Sequence, residues 1–153
     1  MCMDNNVITV IVEKEDRNKL IAMQECDYAF QKSIVNSLDF DAMWEKISKN
    51  AIFLVAQNEK LETVGYAALY ANNTKTHQAY ISLLCVKKEA QNNHVGQSLI
   101  NECIEKALCN KMNSIKLEVL TNNYKAIAFY RHNGFEIYDI NQEKNSYYML
   151  KNL

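Results

Sequence analysis

The sequence predicts an α/β (α+β) fold: a mixed, mostly antiparallel sheet of about six to seven strands, with about four helices on its faces. Three observations predict it. Short β-branched or alternating runs recur along the chain, parted by polar turns, while other segments repeat apolar residues at helical spacing. In the middle, the apolar run AYISLLCV feeds a helix that returns to a further strand, and such a unit requires a parallel crossover. Finally, 153 residues with 48% hydrophobic and 23% charged side chains suffice for one core, so residues 1–153 are read as a single domain.

The elements follow in order. Val7 to Val12 is short and β-branched, a first strand. Asp16 to Phe30 reads as a helix with Asp16 as N-cap, and Asp39 to Lys49 as a second, with Phe40, Met43, Trp44 and Ile47 at helical spacing. Ala51 to Ala56 and Glu62 to Tyr70 are strands joined by the turn QNEK. Gly65 inside the latter signals a bulge or a close approach. After the loop NNTKTHQ, Ala79 to Val86 is expected to be buried on both faces, because its apolarity is nearly continuous. Leu99, Ile100, Cys103, Ile104, Ala107 and Leu108 then form one apolar helical stripe. In Ser114 to Leu120, Ile115, Leu117 and Val119 alternate with Lys116 and Glu118. Tyr124 to Asn133 is a short helix closed by Gly134 as a left-handed residue, with Phe135 making the capping contact. Phe135 to Ile140 and Ser146 to Leu150 are the last strands, joined by NQEKN.

Composition excludes several classes. A net charge of −1 gives no basic surplus for nucleic acid or an acidic membrane. Val7 to Val12 is too short for a signal peptide or a membrane span, so a cytoplasmic setting is expected. The five cysteines are odd in number and form no CxxC pair; Cys85, Cys103 and Cys109 sit in apolar patterns and read as buried reduced thiols. With His77, His94 and His132 scattered, no metal site is expected.

The junction Gln91 to Ser98 opens a helix with no acidic residue between Glu89 and Glu102. Helix-opening loops concentrate unpaired amides, and the helix dipole adds positive potential. Gly96 lets the main chain approach a bulky anion. The plain structural reading is an ordinary turn capped by Ser98 or Asn93. Neither a Walker loop nor a dinucleotide fingerprint is present.

The segment Tyr80 to Phe135 resembles the core of the GNAT superfamily of N-acetyltransferases. The family's anion loop, Gln/Arg-x-x-Gly-x-Gly/Ala, is matched by Gln91-Asn92-Asn93-His94-Val95-Gly96, with His94 in place of the first glycine. The later signature, Asn-x-x-Ala-x-x-Phe-Tyr-x-x-x-Gly-Phe, is matched in full by Asn123, Ala126, Phe129, Tyr130, Gly134 and Phe135.

The resemblance implies acetyl-CoA as donor, a primary amine as acceptor and direct attack on the thioester, with no metal. It implies that the backbone of Leu84, Cys85 and Val86 meets the pantetheine arm and the carbonyl oxygen. Gln91, Asn92, Asn93, His94, Val95, Gly96, Gln97 and Ser98 would hold the phosphates, with Lys87, Lys88 or Lys125 adding charge. Asn123 and Ala126 would line the cofactor arm; Asn123 is equally well read as the N-cap of its helix. Tyr130 would donate to the leaving sulfur, since an ordinary tyrosine is protonated at neutral pH. No general base is assigned: Ser82 stands on the strand before the loop, Glu118 is read as an exposed strand residue, and a water chain is preferred.

The acceptor region implied by the family holds Tyr28, Phe30, Tyr70 and Asn72, with Asp27, Asp39, Asp41, Trp44 and Asn73 nearby. Aromatic faces beside amides suit a small polar amine such as an amino sugar. Neither nucleic acid nor membrane is expected as a partner, and the resemblance is compatible with a homodimer through the last strands. The alternative function is a non-catalytic CoA-binding sensor or interaction module on the same scaffold.

Overall fold

The computed structural model describes residues 7–12, 45, 49–91 and 94–153. Its strands are β1 (Thr9–Val12), β2 (Ile52–Gln57), β3 (Thr63–Tyr70), β4 (Gln78–Val86), β5 (Ser114–Leu120), β6 (Glu136–Asn141) and β7 (Ser146–Asn152). Helix α1 (Val95–Cys109) links β4 to β5, and α2 (Tyr124–His132) links β5 to β6. The sheet has seven strands in the order β1-β2-β3-β4-β5-β7-β6. This is the expected mixed α/β class. Of the helices expected at Asp16–Phe30 and Asp39–Lys49, only Glu45 and Lys49 fall among the described residues; both are helical and ion-paired at 2.6 Å. The rest of both lies outside the described residues. The chain divides into two compact units, one of Met1–Ala68 with Leu83–Glu102, the other of Leu69–Ser82 with Cys103–Leu153.

In the first unit, β1 pairs antiparallel with β2, Thr9 opposite Gln57 and Val12 opposite Leu54. Phe53 to Ala56 and Val64 to Ala68 are wholly buried, and the Phe53 and Tyr66 rings stack at 5.8 Å. β2 and β3 are thus the strands covered on both faces. β4 is not, contrary to expectation. Along this strand, of which Gln78 to Ser82 belong to the second unit, Ala79, Ile81, Leu83 and Cys85 are buried, whereas Gln78, Tyr80, Ser82, Leu84 and Val86 are half-buried. Residue type misleads here, because Tyr80 and Leu84 are apolar in pattern yet stand on the partly open side.

In the second unit, β4 and β5 pair in parallel, from Gln78 opposite Ser114 to Ile81 opposite Leu117. That is the crossover the strand–helix–strand order requires. β7 pairs antiparallel with both β5 and β6, and the β6 register slips at Tyr138, between Ile137 and Asp139. Ile115, Leu117, Val119, Met149 and Phe135 are buried.

The stripe of α1 is narrower than expected: Leu99, Ile100, Cys103 and Ala107 are buried, Ile104 half-buried and Leu108 exposed. At about 100° per residue, Leu108 lies about 180° around the axis from Leu99, off the buried stripe. The cysteines need correction too. Cys103 is a buried free thiol, but Cys109 is exposed and Cys85 is disulfide-bonded. The cysteines therefore no longer argue for a cytoplasmic setting.

Helix α2 is fixed at both ends by its own sequence. Asn123 Oδ1 accepts from the Ala126 amide at 3.2 Å, a side-chain N-cap. At the other end Gly134 has φ +88°, its amide donates to the Arg131 carbonyl at 3.0 Å, and the Phe135 amide donates to the Tyr130 carbonyl at 3.0 Å. This is a Schellman closure, and the Phe135 ring meets Tyr130 edge-on at 5.8 Å. Gly134→Ala forces an L side chain into left-handed backbone. It is expected to cost about 1–2 kcal/mol, read as a lower midpoint in chemical unfolding; an unchanged midpoint would show that the cap tolerates a Cβ.

Candidate active site

The candidate residues divide between the two units and are taken one unit at a time. In the first unit, β4 ends at Val86 and the chain turns through a 3-10 segment, Lys88–Ala90. The Lys87 amide donates to the Val64 carbonyl at 2.8 Å, tying the turn to β3. Gln91 is extended, and its side-chain amide donates to the Val86 carbonyl at 3.3 Å. Asn92 and Asn93 lie outside the described residues. His94 has φ +62°, so it adopts the left-handed backbone that a glycine would supply. Its side chain is exposed, and its carbonyl accepts the first helical bond, from the Ser98 amide at 3.0 Å.

The helix thus starts at Val95, earlier than a cap at Ser98 would place it, and Gly96, Gln97 and Ser98 belong to its first turn; the other cap candidate, Asn93, lies outside the described residues. Ser98 is not a cap: its hydroxyl donates back to the His94 carbonyl at 3.0 Å. The amides of the first turn precede the first intrahelical bond and point out of the helix end. No acidic residue stands in that turn to compete for the dipole. Lys87 and Lys88 are exposed beside it in the chain.

The corner is set by Gly65. A Cβ there would meet Val95 Cγ1 at 2.9 Å, the Cys85 carbonyl oxygen at 3.0 Å and Leu99 Cδ1 at 3.0 Å. β3, the end of β4 and the start of α1 therefore converge on a space that only glycine leaves open. The expected close approach is what the strand glycine provides.

In the second unit, Asn123, Ala126 and Tyr130 share α2. Asn123 serves as the N-cap, the structural half of its double reading. Ala126 is half-buried and Tyr130 is 8% exposed. The Tyr130 ring is packed between Phe129 at 5.5 Å and Phe135 at 5.8 Å. Packing and the backbone closure together hold its side chain in one place. Lys125 is exposed on the same helix.

Of the acceptor candidates, Tyr28 and Phe30 lie outside the described residues, as do Asp27, Asp39, Asp41 and Trp44. Tyr70 is half-buried and burial pushes its phenol above the ordinary tyrosine value; Asn72 is exposed. Sequence reasoning passed over a group in the second unit. Tyr80, also half-buried, has its phenol pushed up by burial first, then by the Glu118 charge and by neighbouring Tyr148, Tyr138 and Tyr70. Glu118 is itself half-buried, not the exposed strand residue that its alternation with Leu117 and Val119 suggests. The signal was present in the alternation of β5, which puts Lys116 and Glu118 on one face, but no single-strand pattern shows what lies beside them.

The GNAT acetyltransferase family model matches residues 16–135. The chain belongs to this family. No curated protein sequence matches it. Among solved structures it is similar to the PaiA N-acetyltransferase of Thermoplasma acidophilum in complex with coenzyme A, at 20% identity and TM-score 0.76, covering 96% of this chain and 99% of that one. It is also similar to the ribosomal-protein-S18-alanine N-acetyltransferase of Escherichia coli, at 15% identity and TM-score 0.76, with 95% and 94% covered. A GNAT-family acetyltransferase of Staphylococcus aureus Mu50 gives 19% identity, TM-score 0.73 and 96% and 99% coverage.

Family membership makes the protein an acetyltransferase with acetyl-CoA as its acyl donor. The first-unit corner fits a polyanionic donor: helix-end amides, left-handed backbone at His94, no carboxylate in the first turn and a glycine within it. Among the described residues, no group of three or more His, Cys, Asp and Glu could hold a metal, and no helix is long and apolar enough to cross a membrane. Gly65→Ala is expected to lower stability by about 1–3 kcal/mol through overpacking. Coenzyme A affinity, read by calorimetry on the folded variant, should fall with it; retention of both would show that the corner does not depend on this contact.

Proposed function

We propose that this GNAT protein transfers an acetyl group from acetyl-CoA to the primary amine of a small polar acceptor, an amino sugar or similar, by direct attack. The observation that carries the reading is the doubly capped α2, which holds the Tyr130 phenol in fixed packing within a complete family signature. Acetyl-CoA supplies the acyl group already activated as a thioester. The chain's residues do the rest. First-turn amides of α1 take the phosphates. Main-chain groups of Leu84 to Val86 align the pantetheine arm and donate to the carbonyl oxygen as it gains charge. The Tyr130 hydroxyl donates a hydrogen bond to the departing sulfur. The amine surrenders its proton to water.

The Escherichia coli ribosomal-protein-S18-alanine N-acetyltransferase shares this fold, so the fold can serve a protein amine. A small acceptor is favoured here by Tyr70 and by the polar, tyrosine-rich face near it.

Tyr130→Phe removes one hydroxyl and keeps the ring packing. Turnover should fall about tenfold or more with an unchanged unfolding midpoint, measured by thiol release once an accepted amine is in hand. An unaltered rate would take Tyr130 out of the chemistry, and tight CoA binding without any turnover would favour the sensor reading. The Lys87→Ala, Lys88→Ala double variant should weaken CoA binding about fivefold at low salt and flatten its salt dependence. Equal salt slopes for variant and parent would exclude these lysines from the phosphate site.

A further inference from the structure

One face of the second unit carries none of the residues assigned to the donor. Tyr80 lies opposite Lys116 across β4 and β5, and Glu118 opposite Tyr148 across β5 and β7. Alternate strand residues share a face, so all four stand together. The β6 bulge brings Tyr138 to the same place: its ring lies 6.3 Å from that of Tyr148. The Lys116 ammonium sits 4.4 Å from the Tyr148 ring centre and 5.9 Å from that of Tyr138. Asn141 Nδ2 donates to the Tyr148 hydroxyl at 3.3 Å.

Lys116 and Glu118 are both half-buried, of opposite charge and two residues apart on one face. Among the described residues they form no ion pair with each other, and Glu118 has no hydrogen-bonded cation. The lysine instead lies over tyrosine rings, a contact open to cations in general. Partly desolvated charges without counter-charges are costly. At the end of the same face, the Ser146 hydroxyl is buried with no hydrogen-bond partner among the described residues. A ligand with one charge of each sign would satisfy both charges at once. A dication would meet Lys116, a dianion would meet Glu118, and an uncharged sugar would leave both unmatched.

We propose that this face binds the acceptor and that the acceptor is a small zwitterionic amine, its ammonium at Glu118 and its carboxylate at Lys116, between the rings of Tyr80 and Tyr148. The proposal rests on the acetyl-transfer reading and narrows its acceptor. Alternate positions on a strand are about 6.6–6.8 Å apart, which suits amine and acid groups on a short chain. Lys116 and Glu118 are specificity residues here, with no role in the bond-making step.

The test uses CoA-saturated protein and three probes: glycine, 4-aminobutanoate and 6-aminohexanoate, each against its primary amide, which keeps the ammonium and removes the acid. Calorimetry should show at least one acid bound about tenfold or more tighter than its amide. Lys116→Met should abolish that preference and Lys116→Arg restore it. Glu118→Gln should weaken acid and amide together. If Lys116→Met does not fold, Lys116→Gln removes the same charge with a polar side chain and carries the same comparison. Equal binding of every acid and its amide, or a preference that survives loss of the lysine charge, overturns the proposal. Thiol release from acetyl-CoA is followed separately. Lysine-dependent acid binding without thiol release would leave this face standing and defeat the acetyl-transfer reading. Thiol release as fast with amides as with acids, both at acceptor concentrations well below saturation, would do the reverse.

Discussion

At residue 65 a methyl group would stand 2.9 Å from Val95 Cγ1 and 3.0 Å from the Cys85 carbonyl oxygen, and the geometry of the donor corner follows from its absence. Because nothing projects there, the start of α1 settles directly on β3. The same contact fixes where the turn must begin and end. The Lys87 amide bonds to Val64, one residue before Gly65, and Val95 is buried one residue after the left-handed His94. The second anchor opens the helix, whose first-turn amides precede its first internal bond. A β-branched residue at 65 would suit the strand better by propensity. Glycine there is explained by the approach of the helix, not by the strand.

The second unit shows the same economy in a different form. A helix of nine residues is too short to persist through propensity alone. Here Asn123 satisfies a donor at one end, while Gly134 and Phe135 satisfy acceptors at the other, and Phe135 adds a ring contact to Tyr130. The signature Asn-x-x-Ala-x-x-Phe-Tyr-x-x-x-Gly-Phe thereby reads as cap, small residue, ring pair and left-handed stop. Most of its letters are accounted for by what holds the helix, so the cap role of Asn123 and its proposed cofactor role need not compete. One side-chain oxygen takes the Ala126 amide and leaves the side-chain NH2 group unused by that bond.

These features were legible because each depends on local backbone chemistry. The parallel crossover, the positive φ of Gly134, the N-cap at Asn123 and the close approach at Gly65 can all be argued from neighbours in sequence. The misreadings share a different origin. Ser98 looked like a cap by type, but the left-handed turn at His94 starts the helix one turn earlier and places Ser98 inside it. AYISLLCV looked doubly buried, but β4 is fully covered only on the side of Ala79, Ile81, Leu83 and Cys85. Glu118 looked exposed because alternation gives a side of the sheet and says nothing of what stands on it. Its neighbours Tyr80, Tyr138 and Tyr148 come from three other strands, joined by register and by a bulge that no sequence window contains.

The distribution of charge follows from the same distinction between local and assembled features. A corner for phosphates can be built from main-chain amides alone, so its sequence need only omit acids, as the span from Ala90 to Asn101 does. A face that recognises a particular amine must place opposite charges at fixed separation, and a single strand does so most simply by alternation, as Lys116 and Glu118 do. If these two were merely a solvated pair, nothing would require the lysine to leave its neighbour for the Tyr148 ring. At 4.4 Å over that ring the ammonium is held by the ring and not by the carboxylate, and among the described residues neither charge has an opposite charge paired to it. Pairing the two would cancel the feature that lets the face tell a zwitterion from a plain amine. The tyrosines are therefore best understood as spacers that keep two opposite charges from neutralising one another.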